Sequence, residues 1–145
     1  MSSAIARIQS HKVTEENPPR DDLDGLDFYR CARLHNAIIE HGWTASGRPI
    51  EDMPNTTWWD IQSTNPYRDA TTSRLHSSVT DFLKLAYQFD ERRFSFFHYL
   101  KGLLGALPDV SSSFKEDPYD PNFDHQYYTL YSTDQTDADN PDGLA

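Results

Sequence analysis

Residues 65–90 read NPYRDATTSRLHSSVTDFLKLAYQFD, and this stretch sets the fold class. Leu75, Val79, Phe82, Ala86 and Phe89 follow one another at steps of 4, 3, 4 and 3. That is the spacing of one face of an α-helix. Leu83 and Tyr87 border the stripe. Asn65 suits a helix cap and Pro66 suits the first turn, where its missing N–H costs nothing. The pattern predicts an amphipathic helix running from Asn65–Pro66 to about residue 89.

Upstream, the segment from about Asp22 to His41 repeats the theme. Phe28, Cys31, His35 and Ile38 lie at helical spacing, and Ala32 and Ile39 widen the face. Asp21, Asp22 and Asp24 put negative charge where the helix dipole favours it. Gly25 weakens the start, Gly42 supplies a stop, and Trp43 is placed to fold back on the last turn. Downstream, Asp90 suits the cap of a third helix over 91–104, closed by Gly105 and Pro108. Its apolar residues (Phe94, Phe96, Phe97, Tyr99, Leu100, Leu103, Leu104) are not confined to one face, the mark of a helix buried between elements or against a partner. A single bent helix from 66 to 104 is the alternative. The expected core is Phe28, Ile38, Val79, Phe82, Leu83, Ala86, Phe97, Leu100 and Leu104.

The segments between these helices are less regular. Residues 1–21 read as an arm: Ala4, Ile5 and Ile8 allow one helical turn, and TEENPPRDD after them is polar and extended around Pro18–Pro19. Residues 44–57, TASGRPIEDMPNTT, form a long connection of the kind that often carries function. It leads into Trp58–Trp59–Asp60–Ile61, either a short helix capped by Thr56 or Thr57 or a short strand. The fold class is therefore mainly α: a small irregular helical domain of three to four helices with extended N- and C-terminal arms. The divisions are 1–21, an N-terminal arm; 22–115, the helical domain; and 116–145, an acidic, aromatic C-terminal arm.

At 145 residues the chain is the size of one domain. Leu, Ile, Val and Phe make up only 20% of it, near the lower limit for a chain that folds alone, while aromatics reach 13%. The net charge of −10 is concentrated in one place. Residues 116–145 hold eight acidic side chains and no Lys or Arg, which leaves the remainder at −2. Such a charge argues against direct binding to nucleic acid. No apolar run is long enough for a membrane span, and no charged-then-apolar leader opens the chain, so no membrane partner and a cytoplasmic location are expected.

No constellation for catalysis, for a cofactor or for a metal emerges. The six histidines (His11, His35, His41, His76, His98, His125) show no paired spacing that would present two ligands to one ion. His35 on an apolar face reads as a hydrogen-bonded core residue, and His41 as a dipole partner at a helix end. Cys31 lies on that same apolar face and reads as a small hydrophobe; alone, it forms no internal disulfide. The glycines form no phosphate-cradling loop, and GRPIED lacks the partner residues of one. VSSSF reads as a linker. DPYDPNFD lacks the glycine and the terminal Glu of a calcium loop.

What remains is aromatic surface. Adjacent residues do not share a helix face, so Trp58 and Trp59 point different ways. One reading packs both rings in the domain, and the other presents one to a partner. Tyr119, Phe123, Tyr127, Tyr128 and Tyr131 stud the acidic arm, which simple disordered tails do not do. That arm reads as an extended strap across a surface, its own or a partner's; a solubilising tail is the alternative. Arg48, Arg68, Arg74, Arg92 and Arg93 suit pairing with its carboxylates or with those of a partner.

The chain thus reads as a non-enzymatic interaction protein. It would be a small acidic helical accessory subunit or inhibitor docking on a larger protein through Trp58, Trp59, Tyr119, Phe123, Tyr127, Tyr128 and Tyr131. One alternative is an acidic nucleic-acid mimic, of the kind phage inhibitors use to fill a basic groove. Another is a small-ligand enzyme on a helical scaffold.

Overall fold

Asp27 opens the first long helix, its carboxylate accepting from the Arg30 amide at 3.3 Å. Gly25, with φ +86°, holds the preceding backbone in the left-handed region and out of the helix. The computed structural model describes residues 3–88, 100–103, 114–115, 127–128 and 130–133. Among these the chain is mainly helical, with α1 at Ala4–His11, α2 at Phe28–Ala45, α3 at Trp58–Ile61, α4 at Arg68–Thr72 and α5 at Ser77–Leu85. Single 3-10 turns follow at Ile50–Asp52 and Gln62–Thr64.

Helix α2 starts later and ends later than its sequence implies. It runs through Gly42 to Ala45, and Gly47 (φ +82°) is the residue that takes the left-handed turn. Trp43 draws the helix onward. It is buried inside the last turns, its indole N–H donates to the Pro49 carbonyl at 2.7 Å, and Arg48 lies over its ring. His41 is accordingly an exposed mid-helix residue. The buried face keeps Ala32, His35 and Ile39 of the predicted one, adds Ala37 and Trp43, and leaves Ile38 at the margin.

Residues 1–21, expected as an arm, carry α1 packed along α2. Ala4 is buried, and Arg7 pairs with Glu40. Beyond α1, the Arg30 guanidinium gathers the loop by donating to the carbonyls of His11, Lys12, Asn17 and Pro18. One planar cation thus organises a turn that Pro18–Pro19 leave without helical bonds.

The helix expected from residue 65 is two helices. Asn65 is not the cap: that position falls to Tyr67, which has no side-chain cap bond, and the Asn65 side chain accepts from the Tyr67 amide at 2.9 Å in the turn that precedes α4. The chain then breaks between Thr72 and Ser77. Hydroxyls at Thr72 and Ser73 bond back to the Arg68 and Ala70 carbonyls, and His76 takes an extended ψ of 140° as the cap of α5. The continuous apolar stripe concealed that break. Helix α5 stops at Leu85, with Ala86 extended, which also removes the single bent helix to residue 104.

The third helix over 91–104 is corrected at its end. Leu100–Leu103 is strand β1, paired antiparallel with β4, Tyr131–Thr133, with a register irregularity between Leu100 and Gly102. Leu103 is buried; a short apolar run of this kind does not distinguish a buried strand from a buried helix by its spacing. Residues 91–99 and 104 lie outside the described residues. A second strand pair joins β2, Phe114–Lys115, to β3, Tyr127–Tyr128.

Ala32, Trp58, Phe82, Leu83, Ala86 and Leu103 form the core, flanked by Phe28, Cys31, Trp59, Leu75, Val79, Tyr128 and Tyr131. Of the expected core, Phe82, Leu83 and Ala86 are at its centre and Phe28 and Val79 at its edge. The side chains of Phe97, Leu100 and Leu104 lie outside the described residues.

Candidate functional site

The tryptophan pair is split by a capping box. The Thr57 hydroxyl accepts from the Asp60 amide at 3.2 Å, and the Asp60 carboxylate accepts from the Thr57 amide at 3.3 Å. This fixes α3 at its start. The same residue joins the next layer: Thr57 bridges Tyr87, and the amides of Trp58 and Gln88 each donate to a carbonyl across that bridge. Of the two alternatives posed for Trp58–Ile61 the helix is the one formed, and the bridge is confined to Thr57 before it.

Trp58 points inward and is 1% exposed. It therefore belongs to the core and does not offer its ring to a partner. Trp59 is half-buried, packed against the edge of that core. The Arg68 guanidinium lies 4.2 Å and the Lys84 ammonium 4.8 Å from the ring centroid. Both distances are within cation–π range. Arg68, from α4, also pairs with Asp69 at 3.0 Å. Lys84, from α5, extends the patch into an open groove of about 430 Å³ lined with Asp69, Thr72, Leu75, Thr80 and Asp81. Trp59 was legible as a candidate. Its cations were not, because nothing in the spacing of Arg68 or Lys84 reveals that α4 and α5 converge on α3.

The arm residues divide differently. Tyr128 and Tyr131 pack against the chain's own core. The phenols are pushed up to about 12, by burial in both cases. The backbone of Tyr127 lies in β3, paired with Lys115, and Tyr119 and Phe123 lie outside the described residues. The strap reading thus acquires a surface: for these two tyrosines it is the chain's own.

Tyr131 reaches His35. The imidazole is 3% exposed. Its Nε2 lies 2.8 Å from the Tyr87 carbonyl and its Nδ1 lies 2.9 Å from the Tyr131 hydroxyl. A carbonyl only accepts, so Nε2 carries the proton and Nδ1 accepts from the phenol. The Phe82 ring meets the imidazole edge-on at 5.7 Å. Burial lowers the His35 pKa from 6.5 to about 4, opposed by the bond to Tyr87. His35 is thus a satisfied, neutral core histidine.

A second polar chain runs through Asp24, His76 and Ser78. His76 Nε2 lies 3.4 Å from the Asp24 carboxylate, and its Nδ1 lies 2.7 Å from the Ser78 hydroxyl. This order resembles a nucleophile–base–acid relay. Two features make it structural. The Ser78 oxygen is buried and accepts from the Leu26 amide at 2.9 Å. The Gly25 backbone lies directly over it, so closely that a Cβ there would collide with His76 and with that hydroxyl. No substrate reaches the oxygen while Gly25 covers it. The cluster instead ties the approach to α2 onto the start of α5.

Among the described residues, no group of three His, Cys, Asp or Glu side chains gathers as a metal would require. Cys31 is half-buried, and burial pushes its thiol pKa up. No described helix is long and apolar enough to cross a membrane. No family model, curated protein or solved structure significantly matches the chain.

Proposed function

We propose that the chain is a non-enzymatic interaction protein, a helical accessory subunit or inhibitor that docks on a larger protein. The observation that carries this reading is the Trp59 patch. A half-buried indole at the edge of the core carries Arg68 and Lys84 over its ring. Trp and Arg dominate binding hot spots because they combine large apolar area with directed polar contacts. The fitting partner offers an apolar shelf for the indole and acceptor oxygens for the two cations. Its position on short helices fixed by a capping box keeps the ordering cost of binding small.

Affinity purification of the chain from its native host, with mass spectrometry of what co-elutes, identifies the partner. The same partner is then measured against Trp59→Ala. A rise in dissociation rate of about thirtyfold or more, with an unchanged far-UV spectrum, supports the docking patch. An unchanged rate overturns it. If binding instead collapses when the Asp residues of 116–145 become Asn, or when salt is raised, the acidic mimic takes its place.

A further inference from the structure

We propose that His35 is an acid-sensitive latch: while neutral it holds the Tyr131 strand against α2, and on taking a proton it releases that strand. The inference stands on the His35–Tyr131 geometry and is independent of the Trp59 reading.

Two attachments of strand β4 to the body bear on this: its ladder with β1, and the Tyr131 hydroxyl on His35 Nδ1, backed by the packing of Tyr131 on the core. The second attachment requires Nδ1 to bear a lone pair. Protonation there removes the acceptor. The phenol is free to turn and accept in its place, but a net positive charge then sits in a site 3% exposed to water. An uncompensated buried charge is the costly outcome, and opening the strand hydrates it.

The surroundings single out His35 as the group that responds. From β4 it faces the Tyr131 phenol, from α5 the Phe82 ring, and from the segment after α5 the Tyr87 carbonyl. On its own helix, Cys31 acts on the Tyr131 phenol, and Asp27 and Arg30 act in turn on Cys31. The phenol, at about 12, stays protonated throughout the acid range, and the thiol is also pushed up. Between pH 7 and 4, His35 is the member of this set that changes charge inside the core. With the free imidazole at 6.5 and the latched one at about 4, the linkage makes strand opening about twentyfold more favourable at pH 5 than at pH 7.

Amide hydrogen exchange on the full chain at pH 7 and pH 5, corrected for intrinsic rates, tests this. Opening of Leu100–Leu103 and Tyr131–Thr133 should increase about twentyfold at pH 5, with little change in the α2 and α5 amides. His35→Gln keeps a donor and an acceptor without titrating, and should abolish the increase. Wild-type strands that stay equally closed at pH 5 overturn the latch. So does an equal increase in His35→Gln, or opening of α2 and α5 by the same factor, which marks global unfolding. Should His35→Gln fail to fold, the wild-type His35 Cε1–H resonance decides. Titration that tracks strand opening supports the latch, and titration near 6.5 with the strand closed overturns it.

Discussion

The His35 imidazole and the Tyr131 hydroxyl meet at 2.9 Å across 96 positions of sequence. This bond places the middle of the acidic segment 116–145 against the first long helix. It also makes stability depend on pH in a defined direction. The native pKa, about 4, lies below the unfolded value of 6.5. Below pH 6.5 the unfolded chain therefore binds a proton that the native chain excludes. Stabilisation is fully present above that pH, falls as pH drops toward about 4, and levels off beneath. The loss measured against His35→Gln should be as much as ~3 kcal/mol, with earlier opening of β4 truncating it. Urea melts across pH 4–7.5 check the sign and the window.

Gly25→Ala should destabilise the chain by roughly 2–4 kcal/mol, combining left-handed backbone strain with overpacking. The added methyl meets His76 and Ser78, so α5 loses its cap contact along with the cover of the relay. Chemical denaturation checks the magnitude. A loss near zero would show that the loop before α2 shifts freely and that Gly25 does not seal Ser78.

The two tryptophans should separate cleanly. Trp58→Ala and Phe82→Ala each remove a core side chain and should cost about 3–5 kcal/mol. Trp59→Ala removes a half-buried ring and two cation contacts, each worth on the order of 0.5–1 kcal/mol, and should leave a cooperative fold. Thermal melts of the three variants test the order.

Thr71 is fully buried, and its hydroxyl finds no partner among the described residues. Thr71→Val should therefore be neutral or stabilising by about 1 kcal/mol, since it replaces an unsatisfied polar atom with a methyl of similar shape. A clear loss of stability would reveal a bond to that hydroxyl from elsewhere in the chain.

Local chemistry was legible wherever a residue acts on its neighbours. The 3–4 spacing around Phe82 gave α5, Thr57 before Trp58 gave a cap, and the eight carboxylates of 116–145 located the charge. Each of these effects operates within one or two turns, so sequence spacing carries it. The remaining features arise from contacts between distant segments. Arg30 collects carbonyls from the loop after α1, Arg68 and Lys84 converge on Trp59, and Leu103 enters the core on a strand in place of a helix. His35 shows the division most plainly. Its apolar face made it a core residue by sequence alone, yet its partners, the Tyr87 carbonyl and the Tyr131 hydroxyl, were chosen by the tertiary fold. A buried polar atom must be satisfied, but the requirement does not name its partner; only packing brings one particular donor within reach.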